Sequence, residues 1–96
     1  MEFEIKHREA NNKGTFYIEE NGKDIAKIDY SVTPPNKIIA SHTEVNPELK
    51  GQGIGNKLLD FMADYARKNN VKVIALCPFV KAQFTRNQEK YQDIIA

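Results

Sequence analysis

The 96-residue chain has a single cysteine, Cys77, and no apolar stretch with the length of a membrane span. One cysteine cannot form an internal disulfide, which fits a reducing compartment where a lone thiol is tolerated. The segment at residues 1–14, MEFEIKHREANNKG, is too polar for a secretory signal. We therefore expect a cytoplasmic protein.

The chain also lacks a strong charge of either sign. Its 14 basic and 13 acidic side chains leave a net charge of +1, so nothing draws it generally toward nucleic acid or an anionic membrane, and any basic site must be local. The apolar fraction of 41% is enough for one modest core. No repeat, low-complexity tract or long linker divides the sequence, so we predict one domain over residues 1–96, a monomer or a weak dimer.

The first half of the sequence has the alternating pattern of strands, separated by turn residues. Asn21 and Gly22 lie between two alternating runs, which is the strongest short-range signal for a hairpin. Pro34 and Pro35 forbid ladder pairing and mark a break. Four strands are thus predicted, at residues 3–8, 14–20, 24–30 and 37–45.

The second half predicts a helix, a strand and a shorter helix. Apolar residues recur at helical spacing on one face of the long helix: Ile54, Leu58, Phe61, Met62, Tyr65 and Ala66. A fifth strand, VKVIALC, ends before Pro78, which is well suited to the first position of a helix. The fold class is α+β: a mixed, mostly antiparallel central sheet of five or six strands, in the order β-β-β-β-α-β-α, with helices packed on the sheet. The predicted bounds are 71–77 for the fifth strand, 78–88 for the last helix and 91–95 for a final strand or tail.

Three glycines, Gly51, Gly53 and Gly55, stand between the fourth strand and the long helix. The first amides of a helix have no internal partner and its dipole is positive at that end, so a glycine-rich turn there can hold an anion. Lys50 adds a mobile positive charge beside the turn. A bound phosphate or pyrophosphate accounts for the pattern, and the alternative is a tight strand-to-helix turn without a ligand.

Two common phosphate loops do not match these residues. A Walker loop needs Gly-Lys-Ser/Thr, whereas the sequence has Asn56, Lys57 and Leu58. A dinucleotide fingerprint needs a small residue in place of Asn56 and a larger doubly wound sheet. Binding of another nucleotide, as a phosphate-binding adaptor, is a less favoured third interpretation.

The run KGQGIG, at residues 50–55, closely resembles the Q/R-x-x-G-x-G/A loop of the GNAT superfamily of acyltransferases. HTEV at 42–45 and CPF at 77–79 occur in the same order as in a small single-domain subfamily of GNAT-like acetyltransferases. The resemblance covers nearly the whole chain. It implies a minimal GNAT-like fold, acetyl-CoA as the bound cosubstrate without a metal, and an amine acceptor, either a small molecule or a protein.

The resemblance also implies how the coenzyme is held. In that family the loop binds the coenzyme A pyrophosphate through its backbone amides, and pantetheine pairs with the backbone of the fourth strand. Asn87 is positioned either to bond the coenzyme or to cap the last helix. The predicted coenzyme-binding residues are Thr43, Val45, Lys50, Gly51, Gln52, Gly53, Ile54, Gly55, Asn56 and Asn87.

The sequence departs from the family pattern in three respects. Lys50 stands where the family prefers Gln or Arg, so a point charge replaces a planar group. Larger members have extra helices after the first strand and extra strands at the C-terminus that shape the acceptor site, and this chain has no room for them. Commoner members place an acid tyrosine on the last helix, whereas Phe84 on this helix cannot donate a proton.

Three residues are candidates for the chemistry. His42 and Glu44 share one face of the fourth strand, where either can take a proton from an amine, or be an ordinary sheet residue. Cys77 precedes a helix N-terminus, which favours the thiolate form, so it can accept an acetyl group, protonate the leaving thiolate, or simply fill the core. We predict an acetyl-CoA-dependent N-acetyltransferase. The alternative is a non-catalytic or self-acylating acetyl-CoA-binding module that acts with a partner protein.

Overall fold

The computed structural model describes residues 3–96, so Met1 and Glu2 of the predicted domain lie outside the described residues. No helix within this range is long and apolar enough to cross a membrane. The strands are β1 Lys6–Ala10, β2 Lys13–Glu20, β3 Lys23–Thr33, β4 Lys37–Val45 and β5 Lys72–Ala75. The helices are α1 Ile54–Asn69, α2 Pro78–Arg86 and α3 Gln88–Tyr91, and a 3-10 turn spans Pro47–Leu49.

The strands form one mixed sheet in the order β1-β2-β3-β4-β5. Neighbours are antiparallel except β4 and β5, which are parallel and connected through α1. Asn21 and Gly22 have positive φ angles of 52° and 77°, as a two-residue hairpin turn requires. Asn11 and Asn12 make the equivalent turn between β1 and β2. The predicted mixed, mostly antiparallel sheet is confirmed.

One face of the sheet carries the core. Phe16 and Ile18 of β2 and Ile28 of β3 are at most 2% exposed, and they pack against Leu58 and Met62 of α1. The alternation of β2 and β3 thus places every second side chain under the helix. Burial of this apolar surface supplies most of the favourable free energy of folding.

The three helices lie together on that face. The Phe79 ring of α2 packs directly over Gly55 of α1. The Tyr91 hydroxyl of α3 donates a hydrogen bond of 2.6 Å to Asp60 of α1. The opposite side of β1–β4 has no helix over it among residues 3–96, and we refer to it as the open face. Its side chains include Thr15, Lys27, Asp29, Ser31, His42 and Glu44.

A β-bulge interrupts β4. Tyr30 of β3 pairs with Ala40, but the preceding residue, Asp29, pairs with His42, so Ser41 is an extra residue on β4. The Ser41 hydroxyl donates to the Asp29 carbonyl at 3.3 Å. An extra residue reverses the alternation of every side chain that follows it.

The predicted segments nearest the two chain ends differ from the structure. The first strand is displaced from residues 3–8 to Lys6–Ala10. The segment 91–95 forms no regular sixth strand, because only Ile95 bridges to Val73 and α3 occupies the residues before it. Both differences lie at chain ends, where few neighbours fix the register.

Candidate active site

The loop before α1 places two glycines in the left-handed region. Gly51 and Gly53 have φ angles of 86° and 70°, a conformation that L side chains rarely adopt. A Cβ atom added at either position would meet no atom within 4 Å, so the surface above both residues is open. Gly53 is also the N-cap of α1.

The amides of this loop are available to a ligand. The first helical hydrogen bond runs from the Lys57 amide to the Gly53 carbonyl at 3.1 Å, and the amides of residues 51–56 have no partner within residues 3–96. The first turn of α1 contains no acidic residue. Lys50 and Lys57 flank the loop, so the positive end of the helix dipole is not neutralised and favours an anion.

Gly55 is required for a different reason. Its Cβ would lie 2.8 Å from the Phe79 ring, closer than packed atoms allow. The absence of a side chain therefore lets the start of α2 pack against the start of α1. Two glycines of the loop serve its conformation, and the third serves packing.

A cleft of about 300 Å³ begins at this loop and follows β4 toward α2. Most predicted coenzyme-binding residues line it. Gln52, an exposed loop residue, and Asn87, which ends α2, do not. The Asn87 side-chain amide donates to Gln83 at 3.3 Å, and Gln83 does line the cleft. The lining residues are Thr43, Val45, Leu49, Lys50, Gly51, Gly53, Ile54, Gly55, Asn56, Phe79 and Gln83.

Gln83 and Phe79 are site residues that the sequence analysis missed. They stand four positions apart on α2 and so share one face of the helix. That spacing was visible in the sequence, but it did not show that this face turns toward the loop. Packing of Phe79 on Gly55 brings the two helices together at this point.

Strands β4 and β5 part in the middle of β4. The amides of Leu76 and Cys77 both donate to the Ala40 carbonyl, at 3.0 and 2.9 Å, and the ladder ends there. From this point β4 continues to Val45, whereas the other chain enters α2 at Pro78. The predicted fifth strand, 71–77, is therefore shorter, and a gap opens between β4 and the start of α2.

Cys77 lies at this gap as the N-cap of α2. Its side chain is 4% exposed, and its Sγ donates to the Thr43 hydroxyl at 3.1 Å. Because Thr43 lines the cleft, the thiol stands directly behind the cleft wall. The side chain makes no capping hydrogen bond to the helix.

His42 and Glu44 face the other way. After the bulge, Thr43 and Val45 turn toward the helices, and His42 and Glu44 turn to the open face. The imidazole Nε2 lies 3.4 Å from a Glu44 carboxylate oxygen, and the two side chains are 59% and 67% exposed. The structure thus brings the two candidate proton acceptors together but leaves β4 between them and the thiol of Cys77.

A solved structure and a family model identify the class of protein to which this chain belongs. The chain is similar to the solved structure of a GCN5-like candidate N-acetyltransferase from Staphylococcus aureus, with 40% identity and a TM-score of 0.76. That match covers 98% of this chain and 88% of the other. The model of the GCN5-related N-acetyltransferase family matches residues 15–94. The chain belongs to this family.

More distant structures share the fold alone. The ribosomal-protein-alanine N-acetyltransferase of Brucella melitensis is 19% identical with a TM-score of 0.64, over 91% of this chain and 64% of that one. Tetrahymena GCN5 is 17% identical with a TM-score of 0.66, over 82% of this chain and 51% of that one. No curated protein sequence matches the chain. Family membership gives the general chemistry, acyl transfer to an amine, for which the family uses acetyl-CoA.

Proposed function

We propose that the protein is an acetyl-CoA-dependent N-acetyltransferase in which β4 separates the coenzyme from the acceptor. The observation that carries this proposal is the course of the cleft. It begins at the unpartnered amides of residues 51–56 and follows β4 as far as Thr43, whose hydroxyl accepts a hydrogen bond from Cys77. Membership of the GCN5-related family supports the reaction class.

In this proposal the amides of residues 51–56 and the Lys50 side chain hold the coenzyme pyrophosphate. The pantetheine arm follows the edge of β4 at Thr43 and Val45, whose backbone no longer pairs with β5. Gln83 is placed to donate or accept a hydrogen bond along the arm, and Asn87 fixes the Gln83 amide. Acetyl-CoA supplies an activated thioester at the gap.

Direct transfer needs one proton acceptor. The amine nitrogen attacks the thioester carbonyl, the new C–N bond forms as the C–S bond breaks, and the coenzyme leaves as a thiolate that takes up a proton. His42 or Glu44 takes the proton that the amine loses. Imidazole exchanges its proton near neutral pH, and Glu44 lies close enough to hold the imidazolium once it forms.

Cys77 supports a second candidate, a self-acylating module. Its sulfur can replace the coenzyme sulfur in the thioester, which releases coenzyme A as a thiol and leaves acetyl-cysteine for a later amine or partner protein. The closeness of the thiol to the cleft supports this route, since its Sγ lies 3.1 Å from the hydroxyl of Thr43, a residue that lines the cleft. Exchange between two thioesters is close to isoenergetic, so no further reactant is needed.

One experiment separates the two candidates. The protein is incubated with acetyl-CoA, with and without a panel of primary amines, while released thiol is followed and the intact protein is weighed. Continuous amine-dependent thiol release, largely retained in Cys77→Ala, identifies direct transfer. A single acetyl mass gain that is absent from Cys77→Ala identifies the self-acylating module. Neither thiol release nor a mass gain, with no coenzyme bound, contradicts the proposal.

The cysteine content, the net charge and the sheet edges bear on where the protein is located and what it associates with. A lone cysteine kept as a thiol is consistent with the reducing cytoplasm that we propose as its location. The near-neutral charge gives no reason to expect nucleic acid or a membrane as partners. The exposed edge strand β1 leaves a monomer or a weak dimer as the expected state.

A further inference from the structure

The open face carries a groove of about 450 Å³, larger than the cleft on the helix side. It crosses the sheet at right angles to the strands, from β4 to β1. Most of its lining residues have polar side chains, as is typical of a sheet face that is solvated rather than covered by another element. Its lining includes Arg8, Lys13, Thr15, Asp29, Ser31 and Ser41.

One end of the groove reaches the gap between β4 and β5. Ser41, the bulge residue, forms this end and directly follows Ala40, the last residue of β4 that bonds β5. Asp29 pairs with His42 in the ladder, so their side chains share the open face with Cβ atoms about 5 Å apart. The groove therefore ends beside the candidate proton acceptor.

This end of the groove suits an ammonium group. One carboxylate oxygen of Asp29 accepts the Thr15 hydroxyl at 2.8 Å, and the other lies 3.7 Å from the Lys27 ammonium. A carboxylate accepts about four hydrogen bonds, so two contacts leave room for a donor from the groove. An amine held there lies next to His42.

The other end is positive. Thr15 pairs with Asp29, and Lys13 stands two residues further along β2, so the Cα atoms of Asp29 and Lys13 are about 8 Å apart. Lys13 makes no ion pair with any residue in the range 3–96. The Arg8 guanidinium also lines the groove, but it already pairs with Asp24 at 2.7 Å. Of these two cations, Lys13 is therefore the one left to bind an anion.

From this arrangement we propose that the groove binds the amine acceptor, and that this acceptor carries an anionic group, a carboxylate or a phosphate, several bonds from its amine. Asp29 holds the ammonium beside His42, Lys13 holds the anion, and the hydroxyls of Ser31 and Ser41 line the path between them. The inference rests on the proposed acetyltransferase function, and it identifies the class of acceptor.

The test compares 5-aminopentanoate with 1-aminopentane, which differ in the carboxylate and share the primary amine. We expect kcat/KM with acetyl-CoA to be about tenfold or more higher for the amino acid, the ratio expected from one charge-assisted contact. In Lys13→Gln the ratio falls toward one, whereas Asp29→Asn raises KM for both amines. The matched controls Lys68→Gln and Asp64→Asn, on the outer surface of α1, keep the wild-type ratio.

Binding of each amine to the coenzyme-free protein is measured separately, so that binding can be judged even if no acetyl transfer occurs. Amide chemical shifts are followed as each amine is added to the protein without acetyl-CoA. Shifts at Ser31, Ser41 and Lys13 that are larger with 5-aminopentanoate support the groove, even if no amine is acetylated and the proposed function fails. Equal rates for the two amines, or shifts confined to other residues, overturn the inference.

Discussion

Gly53 and Gly22 have nearly the same backbone conformation, with φ angles of 70° and 77°, and both have open space above them. Gly53 stands at the N-cap of α1 beside the cleft, and Gly22 stands in the hairpin turn between β2 and β3. The pair therefore separates the effect of a side chain on the fold from its effect on a ligand. Asparagine tolerates the left-handed region better than other residues that have a Cβ.

We predict that Gly53→Asn weakens coenzyme A binding by about tenfold or more, because its side chain projects over the amides that would hold the pyrophosphate. Gly22→Asn is the matched control, with the same backbone demand and no ligand nearby. Calorimetric titration measures both affinities, and urea unfolding shows that both variants fold. Equal affinities for the two folded variants would mean that the loop does not contact the coenzyme.

At the residue scale, the sequence predicted what local chemistry determines. Pro78 after Cys77 predicted a helix start, and the structure makes Cys77 the N-cap of α2. The need for glycine in the loop was evident, but the separate role of Gly55 was not, because only the packed structure shows Phe79 above it. Gln83 was missed for the same reason.

At the element scale, a polar network joins the edge strand β1 to β3 and α1. The Tyr30 hydroxyl donates to Glu9 at 2.6 Å and accepts from His7 Nε2 at 2.5 Å, and the Tyr65 hydroxyl also donates to Glu9, at 3.2 Å. Burial lowers the pKa of His7 below its ordinary value of 6.5, and the charge of Glu9 offsets part of this effect. The folded protein therefore favours the neutral imidazole.

This network predicts a pH-dependent stability. Between the lowered pKa of folded His7 and 6.5, the unfolded chain binds more protons, so the free energy of unfolding rises with pH and is lost as pH falls through this window. Urea unfolding at about pH 5 and about pH 7.5 measures the change. In His7→Gln, which keeps a donor for Tyr30 and cannot titrate there, the change is smaller. An identical change in both proteins would exclude His7 as its source.

The elements themselves were largely readable from the sequence. The alternation in β2 and β3 and the helical spacing in α1 predicted which face of each element is buried, because burial on one side produces a periodic pattern of apolar residues. The bulge in β4 has no such pattern in the sequence. The segment KIIASHTEV contains a run of small and polar residues after Ile39, and nothing in its pattern shows that Ser41 is the extra residue. The sequence therefore does not show that His42 and Thr43 have exchanged faces relative to Ile38 and Ala40 earlier in the strand.

At the scale of the whole molecule, a small domain gains stability from a ligand that binds only its folded state. A coenzyme concentration about 100-fold above its Kd adds about 2.7 kcal/mol. For a domain of 96 residues this corresponds to a rise in Tm of about 10 to 20 °C. We predict this shift for coenzyme A in a thermal denaturation experiment.

Pantetheine at the same concentration is the control, because it keeps the arm and lacks both the pyrophosphate and the phosphorylated adenosine attached to it. We expect its shift to be much smaller, since the amides of residues 51–56 and Lys50 have no anion to bind. A shift as large as that of coenzyme A would show that the arm alone supplies the affinity. ATP and NAD, which carry phosphates without the arm, complete the comparison by excluding a general nucleotide site.

The extra residue of β4 also constrains how this protein can vary. A substitution between Ala40 and Val45 changes one side chain, but the loss or gain of one residue exchanges the two surfaces that the strand serves. The side chains that we propose to face the thioester would then face the amine, and those that we propose to face the amine would face the thioester. Across natural variants we therefore expect the length of this segment to be held constant while its side chains change.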